Sequence, residues 1–394
     1  MAGNAKTRNN HKLEILNFIR KYSPVSRTGI FRRTNISKPT VTRIIKELLE
    51  EGFISETGTV RSGVGRSAVK LELNPVARYC IGMNITRFRL SVSLLDLNMN
   101  IIKNITENVW QFKNEEDFLC CITSAIEQMI DHSCIDKYLG IGVGVSGAVD
   151  FKNGILKDFA VGHVIMNIPL KQFIEEKFGL FTMIDNDGNT QALWEYWYGG
   201  FAERRDLILV LCGKGVGCGI IRDGKILRGR STVNNEFGHM TVSIDGQLCR
   251  CGKTGCIEAY CSAEAIAKAA QQALEEGRAS ALMKIDAEPS CEAVYLCAEE
   301  GDPLCCELLG NAAEILSVGI STVVNLIGPE VVVLSGDLIH ASALFYENVV
   351  EATKQRLFGY QENELSFFRR STDNKLRESG AVAMIFEEFF SRTK

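Results

Sequence analysis

Proline is scarce, 7 in 394 residues, and with 46% hydrophobic and 23% charged residues this excludes a disordered or fibrous chain. The opening MAGNAKTRNNHKLE lacks the apolar core of a secretory signal, and no run approaches the roughly 20 apolar residues of a membrane-spanning helix. A cytoplasmic protein with no membrane partner is therefore expected. Histidine is rare too, at 5, so one that stands near other metal-ligating residues carries weight. Cysteine is plentiful, at 14, but no oxidising compartment is implied, so a disulfide framework is not expected. Thiols in apolar stretches, such as Cys120, Cys121, Cys212 and Cys306, are expected to be small buried hydrophobes. The length exceeds one ordinary core and predicts two or three domains.

The net charge of -4 hides an asymmetry. Residues 1–70 carry 14 Lys and Arg against 5 Asp and Glu, a balance of +9, which leaves -13 for the rest. A basic head on an acidic body points to a polyanionic partner. Within the head, HKLEILNFIRKY, SRTGIFRRT and SKPTVTRIIKELLEEGFI carry helical periods, with Leu13, Leu16, Phe18 and Ile19 on the first apolar stripe and Val41, Ile44, Ile45, Leu48 and Leu49 on the last. Ser26 and Ser37 suit N-caps, Pro39 a first helical turn and Gly52 a helix end. FISETGTVRSGVGRSAVKLELN then reads as two short strands with a basic, glycine-rich tip. The pattern is a winged helix-turn-helix, whose third helix enters the major groove of double-stranded DNA. Ser37, Lys38, Thr40, Thr42 and Arg43 would touch bases or phosphates, with Arg61 and Arg66 on the wing. A protein-binding module would share the charge, but cap, proline, period and wing together favour DNA.

From Tyr79 the texture changes to strands alternating with helices, an α/β arrangement. YCIGMNITRFRLSVSLLDL and DLILVLCGKGVGCGIIRDGKIL read as hairpins, and YLGIGVGVSGAVD as a buried strand entering a glycine turn. The last third is largely helical and interrupted by one strand, GPEVVVLSGDL. No short repeat is visible, only a rough echo of a strand hairpin in each half.

Three motifs carry chemistry. CRCGKTGCIE places Cys249, Cys251 and Cys256 within eight residues, with Gly252 and Gly255 to turn the backbone. His239, ten residues upstream, is the nearest fourth ligand for a closed structural zinc site. Plain thiols or a C-x-C redox pair are the alternatives, and zinc is favoured. DNDGN puts Asp187 between a strand and a helix, where a carboxylate can receive a ligand hydroxyl or its proton, unless it merely caps the helix; Asn186 and Asn189 favour a polar ligand. CGKGVGCGII is either a phosphate-binding loop or a tight hairpin bend.

Together these segments resemble the ROK family of repressors, open reading frames and kinases. The resemblance rests on CRCGKTGCIE, NEFGHM, DNDGN and GIGVGVSGAVD, and the head is similar to that of the family's xylose-type and N-acetylglucosamine-type repressors. It implies a two-lobed actin-like ATPase, or sugar kinase, fold: a head over 1–74, a first lobe over 78–185 completed by a helix at 378–394, and a second lobe over 186–377. It further implies a sugar held by Asn186, Asp187, Glu236, His239 and Glu258, and a structural zinc held by His239, Cys249, Cys251 and Cys256. Sugar selection would lie in DFAVGHVIMN, residues 158–167.

Where family kinases carry Asp-x-Gly-Gly-Thr for the ATP phosphates, this chain has Asn84, Ile85, Thr86, Arg87 and Phe88. Side chains stand where a phosphate must approach backbone, and a carboxylate handle on magnesium is gone. Lys214 replaces a threonine in the second phosphate loop, and Ser335 replaces a glycine near the adenosine end. No ATP is expected, and Asp187, the kinase base position, becomes a recognition residue. The expectation is a sugar-responsive transcriptional repressor, a homodimer or tetramer on an operator. The alternatives are an active sugar kinase with a DNA head, and a repressor controlled by a protein partner.

Overall fold

A computed structural model describes residues 2–60, 68–108, 112, 114–159, 166–229, 235–285, 288–359, 364–370 and 374–391. Arg61 and Arg66 at the wing tip, and 160–165 of the expected sugar-selecting segment, lie outside the described residues. The chain forms two compact units, Met1–Asp185 with Arg377–Lys394, and Asn186–Leu376. The head belongs to the first unit.

Helices α1 (Ala2–Tyr22), α2 (Arg27–Thr34) and α3 (Lys38–Glu50) pack with a three-stranded sheet of β1 (Val25–Ser26), β2 (Ile54–Val60) and β3 (Ala68–Leu73), in the order β1-β3-β2. Ser26 caps α2 by accepting from the Gly29 N–H at 3.1 Å, and Ser37 caps α3 by accepting from the Thr40 N–H at 3.4 Å. The apolar stripe of α3 buries Val41, Ile44, Ile45 and Leu48 beside Ile15, Ile19 and Ile30. Gly52 follows the helix in left-handed backbone, φ +73°, which a residue without a Cβ adopts freely.

The first α/β layer is a five-stranded sheet ordered β11-β7-β4-β5-β6. It comprises β4 (Tyr79–Thr86), β5 (Arg89–Asp96), β6 (Ile101–Asn108), β7 (Tyr138–Val145) and β11 (Thr182–Asn186). Helices α4 (Glu115–Glu127) and α5 (Leu170–Phe178) accompany it, with a small sheet of β8 (Gly147–Asp150), β9 (Ile155–Phe159) and β10 (Met166–Ile168).

The second unit holds α6 (Asp187–Tyr198), β12 (Leu207–Cys212), β13 (Val216–Arg222), β14 (Lys225–Ile226), α7 (Glu258–Cys261), α8 (Ala263–Glu275) and α9 (Cys291–Glu299). It continues with α10 (Pro303–Ile327), β15 (Val331–Ser335), α11 (Asp337–Ala341), α12 (Ala343–Gln355) and β16 (Ser366–Arg369). Its sheet runs β16-β15-β12-β13-β14. The two sheets repeat one plan: a hairpin (β4–β5, β12–β13) whose first strand pairs in parallel with a later one (β7, β15) and whose second strand carries an antiparallel edge (β6, β14). The hairpin echo in the sequence is thus a repeated topology.

Three readings are corrected. The C-terminal third contains β16 as well as β15, because β16 is a short edge strand with two exposed residues out of four. The 18-residue apolar window of α10 does reach membrane-spanning length and hydropathy, yet 56% of it is buried inside the unit, as in a core helix. Cys212 is buried as expected, but Cys120 is exposed and Cys121 and Cys306 only partly covered.

The last helix, α13 (Asn374–Ser391), returns to the first unit. A side-chain carbon at Gly82 or Gly142 would run into the α13 carbonyls of Glu378 and Ala381, so the helix backbone lies directly on β4 and β7. At its far end Phe389 stacks on Phe53 at 6.0 Å, and the Arg20 guanidinium sits 4.8 Å from the Phe390 ring, tying the helix to the head.

Near the start of α13 Glu378 is buried, its carboxyl hydrogen-bonded to Ser91 and its Oε2 without a partner among the described residues. Ser91 faces Asn84 across the hairpin, and the Asn84 Nδ2 is likewise unpartnered. Burial pushes the Glu378 carboxyl up, against the Ser91 bond and the nearby Arg89 and Arg377. A carboxyl raised in the fold costs stability once pH passes its unfolded value of about 4.3. Glu378→Gln is therefore expected to stabilise the first unit by about 1 kcal/mol at pH 7, a gain that fades towards pH 4. Urea melts at the two pH values test this, and a variant no more stable than wild type at pH 7 refutes it.

Candidate functional site

In the second unit, strand β13 gathers the residues singled out from the sequence. Asn186, not Asp187, caps α6: its Oδ1 accepts from the Gly188 N–H at 2.8 Å, and Asp187 is the first helical residue. Gly188 presses against the Cys218 carbonyl of β13, where a Cβ would not fit. Asn189 is buried, and its Oδ1 accepts from Asn235 Nδ2 at 3.2 Å, which anchors the residue before Glu236. Glu236 then enters the single 3₁₀ turn Phe237–His239, in which Gly238 abuts the Val216 carbonyl. From the start of α7, Glu258 reaches the same strand: its Oε2 accepts from the Val216 N–H at 3.0 Å. Thus α6, the 3₁₀ turn and α7 are pinned to β13 at Val216 and Cys218.

His239, Cys249, Cys251 and Cys256 have their ligand atoms all within 4.8 Å of one another. Cys251 Sγ lies 3.7 Å from Cys256 Sγ, and Cys249 Sγ lies 3.7 Å from His239 Nδ1. Tetrahedral zinc with arms of about 2.0–2.3 Å has edges of roughly 3.6–3.8 Å, so the donor set and these two spacings fit such an ion, and the wider pairs would draw in around it. Nδ1 is the His239 nitrogen turned to the cluster. The bridges Thr241↔Cys256 and Leu248↔Thr254 close the loop, and Gly255, at φ +75°, passes under the Ser243 carbonyl. Burial, then the hydrogen bond with Cys251, pushes the Cys256 thiol up to about 12, so a bound metal must displace a firmly held proton.

Arg250 was not foreseen. Its Nη2 donates to Glu258 Oε1 at 2.9 Å. Only its position between two cysteines hinted at it, because the loop that turns it onto Glu258 is a tertiary feature.

The β4–β5 pairing is regular out to Thr86↔Arg89, leaving Arg87 and Phe88 as a two-residue turn with the Arg87 guanidinium 5.0 Å from the Phe88 ring. Asn84, three residues before the turn, is buried in β4. In the second unit, Gly213, Lys214 and Gly215 form the tight β12–β13 bend, closed by a Gly213 N–H to Gly215 carbonyl bond of 3.0 Å. Ser335 ends β15 buried, and Gly336 follows at φ +112°.

On the head, Ser37, Lys38, Thr42 and Arg43 are exposed and Thr40 half-buried. Ser37 Oγ and Thr40 Oγ1 lie 2.8 Å apart in the cap, Lys38 Nζ is 5.0 Å from the Phe31 ring, and Arg43 pairs with Glu47 at 3.2 Å. Arg32 and Arg33, in the last turn of α2, add exposed positive charge.

Residues 80–388 match the model of the ROK family, and residues 8–55 that of a winged helix-turn-helix DNA-binding domain. The chain belongs to the ROK family. It is 28% identical over 386 residues to a xylose repressor of Caldicellulosiruptor bescii, covering 97% of this chain and 96% of that one. It is 26% identical over 376 residues to the DNA-binding transcriptional dual regulator NagC of Escherichia coli, covering 94% and 91%. A crystal structure of a ROK family transcriptional regulator, a homolog of the E. coli MLC protein, superposes with TM-score 0.83 at 23% identity over 99% of this chain and 98% of that one. A ROK glucokinase from Streptomyces griseus, in complex with glucose and AMPPNP, superposes with TM-score 0.66 at 25% identity over 78% and 98%. The fold is therefore a winged helix-turn-helix followed by the ROK sugar-kinase fold. The kinase covers the ROK portion, and the regulator covers the head as well.

Proposed function

We propose that this ROK protein is a sugar-responsive transcriptional repressor whose saccharide site is non-catalytic. The observation that carries the reading is the union, in one chain, of a DNA-binding head with a ROK fold whose phosphate turn is occupied by Arg87 and Phe88. Asn186, Asp187, Glu236, His239 and Glu258 hold the saccharide, since carboxylates and amides pinned along one strand offer an array of acceptors and donors to ring hydroxyls. Zinc, when bound, supplies a rigid closed shell. His239 joins it through Nδ1, leaving Nε2 for the ligand, and the loop fixes Glu258 two residues beyond Cys256.

No ATP is used. Asn84 offers no carboxylate to magnesium, and the side chains of Arg87 and Phe88 occupy the phosphate approach. Asp187 keeps its grip on the hydroxyl that a kinase would phosphorylate. A homodimer presents two α3 helices about 34 Å apart to successive major grooves. Sugar acts only through differential affinity for the arrangements of head and ROK domain that do and do not fit the operator.

The test is operator binding at fixed salt, titrated with D-xylose, D-glucose and N-acetyl-D-glucosamine, in wild type, Glu236→Ala and Glu258→Ala. A sugar-dependent loss of operator affinity in wild type, absent in both variants, is expected. Sugar effects unchanged in the variants would remove these residues from the site. Phosphorylation of any of the three sugars with ATP, abolished by Asp187→Asn, would establish the kinase reading instead.

For the head, Lys38→Ala and Arg43→Ala are each expected to weaken operator binding. A residue that touches phosphate lowers the slope of log affinity against log salt by about 1, whereas one that reads a base costs about 1–3 kcal/mol and relaxes sequence preference. Unchanged affinity in both variants would show that α3 is not the reading helix.

A further inference from the structure

Glu258 is nearly enclosed, 8% exposed, and both its oxygens are held by the protein, Oε2 by the Val216 N–H and Oε1 by Arg250. Gly215 makes room for this carboxylate, since a Cβ there would sit 2.9 Å from Oε2, and the two hydrogen bonds fix its orientation. Arg250 is placed as firmly, because its neighbours in the chain, Cys249 and Cys251, both belong to the metal-binding cluster. Its side chain remains 43% exposed, and Glu264 also lies in its field. A guanidinium has five N–H donors. Among the described residues the only hydrogen bond made by that of Arg250 is the one to Glu258, at 2.9 Å. The pair therefore presents a fixed acceptor and a fixed donor side by side, with the remaining guanidinium N–H groups unused.

We propose that Arg250 is a specificity-determining residue of the saccharide site, selecting sugars with oxygen substituents on two adjacent carbons, one donating to Glu258 and its neighbour accepting from Arg250. This rests on the saccharide reading of Glu258. A guanidinium bond to a neutral oxygen is directional and charge-assisted, so losing the accepting oxygen costs more than losing a contact between neutral groups. Lysine keeps the charge but not the planar fork, and is expected to restore only part of the discrimination.

The experiment is titration calorimetry of the full-length, zinc-loaded protein with D-glucose, D-xylose and N-acetyl-D-glucosamine, followed by the monodeoxy analogues of whichever binds. Wild type, Arg250→Ala, Arg250→Lys and Glu258→Ala are compared, with zinc content and thermal midpoint measured alongside. In wild type one deoxy position is expected to cost about tenfold in affinity, the scale of one charged hydrogen bond. In Arg250→Ala the parent sugar is expected to weaken by about the same factor, while that deoxy analogue binds as it does to wild type. If Arg250→Ala binds every sugar as wild type does, the proposal falls and the saccharide role of Glu258 stands. Uniform weakening across parent and analogues, with zinc or thermal midpoint lowered, reduces Arg250 to a loop brace and also overturns it. If Glu258→Ala binds like wild type, or none of the three sugars binds wild type, the underlying saccharide reading fails instead.

Discussion

Gly255→Ala is expected to abolish zinc binding at the proposed site of His239, Cys249, Cys251 and Cys256, although Gly255 is not among the candidate ligands. The backbone there is left-handed, φ +75°, and a Cβ would overlap the Ser243 carbonyl oxygen, a backbone atom that cannot swing aside. Both polar groups of Gly255 are also engaged, the N–H with the Gln247 carbonyl and the carbonyl with the Val242 N–H, each at 2.8 Å. Relief must come from moving the loop segment that carries Cys256, which displaces one of the four candidate ligands. Metal content is expected to fall from near one per chain to near zero, with loss of the sugar response. The thermal midpoint of the second unit is expected to drop by about 10 °C, taking roughly 4 kcal/mol of lost coupling at 2–4 °C per kcal/mol. Gly252→Ala is the control. Its φ of +83° is equally left-handed but nothing stands in the way of a Cβ, so about 1–2 kcal/mol of backbone strain is expected with zinc retained. Stoichiometric zinc in Gly255→Ala, measured by mass spectrometry of the purified protein, would refute this account of the loop.

Asn84→Asp, the first substitution one would try in order to restore kinase chemistry, is expected to damage the first unit instead. Asn84 is 1% exposed and shares Ser91 with the equally buried Glu378, whose carboxyl is already raised by burial. A second carboxylate there adds desolvation and like-charge repulsion, which Arg89 and Arg377 offset only in part, since Glu378 stays raised despite them. The loss is expected to be about 3 kcal/mol at pH 7, the low end of the cost of a poorly compensated buried charge. It should shrink as pH falls towards 5, because burial raises the Glu378 carboxyl and disfavours a charged aspartate beside it, so protonation relieves the repulsion. The double variant Asn84→Asp with Glu378→Gln is expected to recover part of the loss. Denaturation at pH 5 and pH 7 tests this, and a single variant as stable as wild type at pH 7 would mean that the pocket admits water to solvate the charge.

The two predictions differ in how far the sequence anticipates them. The cluster of Cys249, Cys251, Cys256 and His239 is legible because ligand types and glycines recur at short range, and short loops leave a chain few conformations. The caps of α2 and α3 are legible for the same reason, since Ser26 and Ser37 act on N–H groups three residues away. The edge strands β6 and β16 carry no such local signal. Residues 102–104 of β6 are exposed, and its hydrogen bonds come from β5, so nothing within it prescribes the extended state.

Local periodicity, capping chemistry and ligand spacing thus sufficed for the head, the α/β class and the cysteine loop, because each acts over a few residues. Only the tertiary structure decided that Asn186, and not Asp187, caps α6, that the hairpin echo is a repeated sheet, that Arg250 meets Glu258, and that α13 sets Glu378 behind Asn84. The cap turns on which of two adjacent residues starts the helix, and the others depend on segments from 8 to nearly 300 residues apart meeting in space. Such meetings are set by which buried faces pack together, a property of the whole core that no local pattern contains.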